Sequence, residues 1–362
     1  MILIKRKRVA FLAGNIDKSG GTERATSVIA EALALRSYEV FIITMQGTAK
    51  PFFPVPDDVE IIGPLTEAER VLPILPSISL KLRTLVQRLH IDSLVVVDTI
   101  SVLFSIPALA GTGVQHVAWE HFNFKNNNGK IVRSFARRLA KYFCDDIVVL
   151  THKDKSFWLK SGALRSRIHV LPNPAPGVAA SPSSGSEKKI VLALGRPAHT
   201  KGFDLLIKAW LLLVEAFPDW RLLIVGLDDG ERSLLRETLL GLNHKSSISL
   251  LPRTEDVSSL YAKSEIYCLA SRHEGFPIVL LEAMAHGLAI LSVDCETGPA
   301  DILADYPIKL VQPGNVAALA TGLEIVMSDS SLRNHAKVIG QNLTLAYQVE
   351  KIVPKWEMIF SL

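Results

Sequence analysis

The chain has 362 residues, 48% of them hydrophobic, and carries a formal net charge of +4. That length exceeds one ordinary core, so two domains of about 150 to 200 residues each are expected, and the apolar share is high enough to pack both. Charge is unevenly divided: Met1–Asn173 holds 23 Lys/Arg against 15 Asp/Glu, net +8, which leaves 17 against 21, net −4, for the remainder. Such asymmetry points to an anionic partner for the first half, with a membrane surface, a phosphorylated acceptor and nucleic acid as the classes to weigh.

The opening M-I-L-I-K-R-K-R-V-A-F-L puts its charges after a very short apolar run and lacks a cleavage site, so it does not read as a signal peptide. Cys144, Cys268 and Cys295 are widely spaced without a C-x-x-C pair and read as reduced core residues. Both features fit the cytoplasm. The longest apolar stretch, Ser93 to Trp119, is interrupted by Asp98, Pro107, Gly111, Gly113 and His116, and reads as strand, helix and strand rather than a membrane span.

In chain order, Arg8 to Ala13 is a short apolar strand. The loop N-I-D-K-S-G-G-T-E-R over Asn15 to Arg24 follows, then a helical pattern from Ala25 to Leu35. Gly20 and Gly21 can bring backbone N–H groups to a phosphate, although G-G is not the G-x-G-x-x-G of a dinucleotide site. Glu39 to Thr44 and Ser93 to Val97 are further strands, and the Pro-rich part from Pro51 to Pro76 takes no assignment. Val114 to Trp119 delivers Glu120 and His121 at a strand's carboxyl end. From Asn126 to Phe143, Lys130, Arg133, Arg137, Arg138 and Lys141 alternate with Ile131, Val132, Phe135, Leu139 and Phe143, a basic amphipathic helix whose cationic face would suit an anionic bilayer. Its alternative is a solvated surface helix with a core-facing stripe.

Asp146 to Leu150 and Arg167 to Val170 close the first half as strands, with a helix containing Trp158 between them. The stretch N-P-A-P-G-V-A-A-S-P-S-S-G-S, Asn173 to Ser186, has no hydrophobic periodicity and reads as the linker. A second α/β unit then opens at Lys188 to Leu194 and continues through the strands Arg221 to Val225, Ser247 to Leu251, Glu265 to Ala270 and Leu288 to Val293. Such alternation marks a parallel, doubly wound sheet. The tail from Val316 to Leu362 is mostly helical.

The most informative stretch is S-R-H-E-G-F-P-I-V-L-L-E-A-M-A-H-G-L-A-I-L, Ser271 to Leu291. Pro277 suits a first helical turn and Gly287 a helix end, giving a helix from Pro277 to His286. Glu274 lies just before it, where free N–H groups and the helix dipole attract anions, and Gly275 permits close backbone approach. Glu282 lies on the order of 10 Å further along the axis, roughly the distance from a sugar to the ribose in a nucleotide-sugar.

This spacing resembles the E-x7-E signature of retaining glycosyltransferases of family 4, which have the GT-B fold of two Rossmann-like, doubly wound α/β domains facing a central cleft. The resemblance implies that Glu274 contacts the donor sugar and Glu282 the ribose, with Gly275, Phe276 and Pro277 lining the donor site. G-R-P-A-H-T-K-G, Gly195 to Gly202, is similar to the family's G-R-x-x-x-x-K-G segment, in which Arg196 and Lys201 neutralise the donor diphosphate. Gly20 and Gly21 match its G-G-x-E-R opening, and His121 stands where members often place a histidine near donor sugar and acceptor. In D-C-E-T-G-P-A-D-I-L, Gly298 matches the family's G-x-x-E loop while Asp301 replaces the usual Glu, so no contact is assigned to Asp301 and a helix cap is its plainer role.

What the resemblance implies is retaining transfer of a hexose, most often from a UDP-sugar among relatives, to a saccharide or lipid-linked acceptor in surface polysaccharide or lipopolysaccharide biosynthesis. No D-x-D motif is present and no cofactor or metal is expected; nucleic acid drops out as a partner. The implied domains are 1–173 for the acceptor, 174–187 as linker, 188–340 for the nucleotide-sugar, and 341–362 as a helix crossing back to the first domain. The expected location is cytoplasmic, at the inner face of the cell membrane if the basic helix holds it there. Two other readings stay open: a UDP-sugar epimerase or hydrolase of the same fold, and a non-catalytic membrane- or anion-binding protein.

Overall fold

A strand buried on both faces must be apolar along nearly its whole length, and most strands of this chain meet that demand. The computed structural model describes residues 6–68, 72–127, 129, 131–175, 189–239 and 245–362. Lys130 and residues 176–187 of the expected linker lie outside them. Two compact units result: Met1–Pro174 together with Gln348–Leu362, and Ala175–Tyr347.

In the first unit, β1 (Arg8–Ala13) leads into helix α1 (Gly21–Ala34), followed by β2 (Glu39–Thr44), β3 (Val59–Ile62), α2 (Leu75–Arg88), β4 (Ser93–Val97) and α3 (Val102–Leu109). Then come β5 (Gln115–Trp119), α4 (Ile131–Phe143), β6 (Asp146–Val149), α5 (His152–Lys160) and β7 (Arg167–Val170). The seven strands form one parallel sheet in the order β3-β2-β1-β4-β5-β6-β7. Strand β3 falls in the Pro-rich part that took no assignment. It is an edge strand of four residues paired only with β2, so it lacks the long apolar run that marks an interior strand. Helix α1 starts at Gly21, four residues before the expected Ala25, because Thr22, Glu23 and Arg24 extend its first turn.

The second unit contains β8 (Ile190–Leu194), α6 (Phe203–Leu211), β9 (Arg221–Val225), α7 (Asp229–Glu237), β10 (Ile248–Leu251), α8 (Val257–Lys263) and β11 (Ile266–Leu269). These precede α9 (Ile278–Ala285), β12 (Ala289–Ser292), α10 (Pro299–Ile302), α11 (Val316–Ser328) and α12 (Ser330–Thr344). Its five strands are also parallel, in the order β10-β9-β8-β11-β12. Helix α9 reads I-V-L-L-E-A-M-A and is buried almost all round, which an amphipathic surface helix would not be.

The last helix, α13 (Val349–Phe360), belongs to the first unit, while α12 stays with the second. Trp356, 1% exposed, packs edge-on against Trp119 at 4.9 Å between ring centroids and against Phe11 at 6.4 Å. The Gln115 side chain donates to the Ile359 carbonyl at 2.8 Å, Lys7 donates to the Phe360 carbonyl, and Arg36 pairs with Glu357 at 3.0 Å. One aromatic side chain thus seats the chain's end against β1 and β5. Replacing Trp356 with Ala should therefore cost about 3 to 5 kcal/mol, read by urea denaturation of the whole chain; a loss under about 1 kcal/mol would show that α13 is held by its polar contacts instead.

Candidate active site

In an open parallel sheet, ligands bind outside the carboxyl ends of the strands, where strand order reverses. In the second unit that reversal lies between β8 and β11. The loop after β8 carries Arg196 and Lys201; the loop after β11 carries Ser271 and Glu274. Lys201 Nζ meets Glu274 Oε1 at 2.7 Å, and Ser271 Oγ donates to the same oxygen at 2.6 Å. Glu274 Oε2 makes no hydrogen bond among the described residues. Arg196 is exposed and makes no hydrogen bond or ion pair among them either. The pair therefore presents one engaged and one open carboxylate oxygen, with a second cation five residues from Lys201.

Several side chains that carry no motif hold this arrangement. Gly195 has φ +139°, and a Cβ there would stand 2.6 Å from Lys201 Cε, so only glycine lets the lysine lie across the turn. The Ala198 N–H donates to Glu231 at 2.7 Å, tying the loop to the N-terminal turn of α7. Arg272 grips Asp204 through two bonds of 2.7 Å each and the His199 carbonyl at 2.6 Å, clamping the two loops together. Thr297 Oγ1, arriving after β12, donates to the Glu274 carbonyl at 2.6 Å. Beside it Gly298, φ +97°, lies so close that a Cβ would stand 2.4 Å from Pro277 Cδ.

Phe276 and Pro277 are buried ahead of α9, and Pro277 caps that helix rather than lying in its first turn. Glu282 is 7% exposed on α9 and accepts a 2.7 Å bond from the Tyr261 hydroxyl. The Tyr261 ring stacks on His286 at 4.7 Å, fixing the carboxylate from two elements that no sequence pattern links. Asp301 lies inside the first turn of α10, not at its cap, which is Gly298.

The first unit holds the other candidates. Gly20 is the residue before α1 and Gly21 its first; the Glu23 carboxylate lies against Gly20, occupying space a Cβ would need. His121 follows β5, 8% exposed, with its ring 4.4 Å from Trp119 and with Nε2 lacking a hydrogen-bond partner among the described residues. Burial lowers its pKa to about 4, with Arg133 pushing the same way and Glu120 opposing; the ring is neutral at physiological pH.

The basic helix α4 corrects the expectation for its faces. Arg133, Arg137 and Lys141 are buried, and the apolar residues Ile131, Phe135 and Phe143 are exposed. Glu120 is the cause: fully buried at the carboxyl end of β5, it takes Arg137 Nε at 2.7 Å, Arg133 at 3.5 Å and the Thr99 hydroxyl at 2.8 Å. Burial pushes the Glu120 carboxyl up, but the Arg137 and Arg133 guanidiniums outweigh it and hold the group below its ordinary range. Arg133 also pairs with Asp98 at 2.6 Å, and Asp98 has φ +87°, a strained conformation for a residue with a Cβ. Arg137 further collects the carbonyls of Phe124, Asn123 and Asn126 at 2.6, 3.0 and 3.2 Å, fixing the loop that leaves His121.

Two outcomes follow for the first unit. Removing the charge with Glu120→Gln leaves the buried Arg137 guanidinium without its carboxylate partner, while Arg133 keeps Asp98, and should cost about 3 to 5 kcal/mol in a denaturant titration; a loss below about 1 kcal/mol would mean that Arg137 is held by its carbonyl bonds instead. The depressed pKa means that below pH 6.5 protons bind the unfolded imidazole before the folded one. His121 therefore withdraws stability as pH falls from 6.5 towards about 4, while buried Asp154, raised to about 7, acts in the opposite sense. The His121 ring signals in proton NMR should show no titration above about pH 5, and a midpoint near 6.5 would contradict the burial argument.

Among the described residues no cluster of three His, Cys, Asp or Glu side chains is arranged to hold a metal ion. Comparison with known proteins gives the arrangement its context. The profile described as Glycosyl transferases group 1 matches residues 179–343, and that described as Glycosyltransferase Family 4 matches residues 19–176. An uncharacterized glycosyltransferase of Haemophilus influenzae is 34% identical over 98% of this chain and 99% of its own. The GalNAc-alpha-(1->4)-GalNAc-alpha-(1->3)-diNAcBac-PP-undecaprenol alpha-1,4-N-acetyl-D-galactosaminyltransferase of Campylobacter jejuni is 26% identical over 96% of this chain and 97% of its own. Anabaena HepE, solved in complex with UDP-glucose, superposes with a TM-score of 0.80 at 18% identity over 98% of this chain and 100% of that one. The chain belongs to the group 1 glycosyltransferases, enzymes of the GT-B fold with two Rossmann-like, parallel-sheet domains.

Proposed function

We propose that the protein is a retaining hexosyltransferase that moves a sugar from a UDP-hexose to a saccharide or lipid-linked acceptor in surface polysaccharide or lipopolysaccharide assembly. The observation that carries this reading is the Lys201–Glu274 pair at the strand-order reversal, one carboxylate oxygen engaged and the other open. Glu274 Oε2 accepts a hydrogen bond from a donor-sugar hydroxyl, while Lys201 and the exposed Arg196 neutralise the diphosphate. Glu282, oriented by Tyr261, takes the ribose hydroxyls. A neighbour of this fold was solved with UDP-glucose and a relative's name records an undecaprenyl-linked acceptor, which supports both ends of the reaction.

In the step itself the bond between the anomeric carbon and the β-phosphate oxygen breaks, leaving negative charge on that oxygen. Arg196 and Lys201 stabilise it. The acceptor oxygen bonds to the same face of the sugar, and its proton passes to the departing phosphate, so no protein nucleophile is needed and the protein supplies position and charge. His121, neutral because it is buried, orients the reacting groups as a hydrogen-bonding partner without adding a positive charge beside the developing oxocarbenium.

Arg196 has no hydrogen-bond or ion-pair partner among the described residues, so Arg196→Ala should keep the fold and lower turnover by about 10²-fold; a drop of less than about threefold would remove it from the diphosphate site. The two glutamates separate by ligand. Glu282→Gln should weaken both UDP and UDP-sugar, and Glu274→Gln only UDP-sugar, by roughly ten- to a hundredfold in calorimetry. If Glu274→Gln weakens UDP equally and Glu282→Gln weakens neither, the assignment of sugar and ribose is wrong. Consumption of UDP-sugar at full rate without any acceptor would instead favour an epimerase or hydrolase.

A further inference from the structure

Helix α4 shows solvent the face that a globular unit ordinarily buries. Ile131, Phe135, Arg138 and Tyr142 recur at helical spacing along its outer side with Phe143 beside them, and Ile131 is 88%, Phe135 56% and Phe143 60% exposed. Singly exposed apolar side chains are ordinary; a stripe of four apolar side chains along three turns of one helix is not. The three buried cations of the same helix are spent on Asp98, Glu120 and the Ser161 carbonyl. The surrounding charge is nonetheless positive. The Lys141 carbonyl accepts the Arg165 N–H at 2.9 Å, which brings the segment around Lys160 and Arg165, both exposed, to the C-terminal end of α4. Helix α4 carries no acid at all and Asp154 on α5 is buried; exposed Asp145, two residues past the helix, has its carboxylate on the His116 N–H and is outnumbered by exposed Arg138, Lys160 and Arg165.

We propose that this face seats the enzyme on an anionic bilayer by insertion: Ile131, Phe135, Tyr142 and Phe143 enter the boundary between headgroups and acyl chains, and Arg138, Lys160 and Arg165 meet the headgroups. This reverses the geometry expected from the sequence, in which the cationic face adsorbs. A second copy of the chain fits the face poorly, because a two-fold contact sets like residues near one another and Arg138 would meet cations with no acid on α4 to answer it. The inference deepens the reading of a lipid-linked acceptor, yet vesicle binding is scored without donor or turnover, so either can fail alone.

The test is sedimentation of the full chain with vesicles of phosphatidylglycerol and phosphatidylethanolamine, compared with phosphatidylcholine, at low salt and in high salt. Binding should favour the anionic vesicles and survive in part at high salt, since an inserted apolar face is not screened. Ile131→Ser/Phe135→Ser/Phe143→Ser alters only exposed side chains, so its thermal melt should match the wild type. Its partitioning should fall at least about a hundredfold, since each side chain moved out of water is worth roughly tenfold. The indole introduced by Phe135→Trp should be quenched by brominated acyl chains, whereas the native tryptophans, all buried, should not. Unchanged partitioning of the triple variant, release of the wild type by salt alone, or an unquenched indole in the Phe135→Trp variant would overturn the proposal. So would a wild-type dimer that the triple variant dissolves without any vesicle binding.

Discussion

Every strand of a parallel sheet delivers its chain at the same end, and where the strand order reverses, two neighbouring connections part and leave a crevice. In the second unit the arrangement of charged side chains around Lys201 and Glu274 hangs on that constraint. The reversal between β8 and β11 puts a lysine from one loop within 2.7 Å of a glutamate from the other. The pair is largely sheltered, 16% and 10% exposed at its side chains, and desolvation offsets most of the attraction between charges taken that far out of water, so its own strength does not hold two loops in register. The surrounding bonds do that: Arg272 to Asp204, Glu231 to Ala198 and Thr297 to the Glu274 carbonyl. The result is a charge pair whose geometry is set by its neighbours and which is therefore available to a ligand.

The first unit solves a different electrostatic problem. A buried carboxylate flanked by guanidiniums is a poor means of gaining stability, because desolvation offsets most of the attraction. What Glu120 secures is position. Its negative charge is answered by Arg137 and Arg133, and not by a proton on the adjacent His121, whose pKa stays at about 4. Arg137 then extends the same order to the loop beyond His121 through three backbone carbonyls. The neighbouring Asp98, held at φ +87° by the pairing of β4 with β5 and by Arg133, is a strained backbone position at this strand end. Strain of that kind persists only where the surroundings over-determine it.

Much of this was legible beforehand. The strands other than β3 are visible because their apolar runs are bounded by polar loops, and the family signatures carry Arg196, Lys201 and Glu274 to loops at strand ends and Glu282 to the helix that follows. Their partners were not visible. Tyr261 and Thr297 reach Glu282 and the Glu274 loop across 21 and 23 residues, and no local pattern announces a contact made only by tertiary folding. Strand β3 was missed because an edge strand needs one partner and little apolar length. The orientation of α4 was missed for a deeper reason: periodicity tells which residues share a face, and says nothing of which face meets the core.

That orientation follows from comparing two rotations of the helix. Turned half a revolution, α4 would bury Ile131, Phe135 and Phe143, worth about 1.5 to 3 kcal/mol each. The same turn would leave Glu120 in the interior without a cation, a cost of several kcal/mol for that one charge, and would also forfeit the carbonyl bonds of Arg137 and the seat of Lys141 at Ser161. Glu120 together with Asp98, which would also lose Arg133, and the forfeited bonds of Arg137 and Lys141 outweigh the apolar stripe, and the arginines go inward. Once they do, nothing within the first unit requires the outward positions to be apolar, and polar residues there would cost the fold nothing while improving its solubility. The isoleucine, phenylalanines and tyrosine on that face answer to something outside the unit.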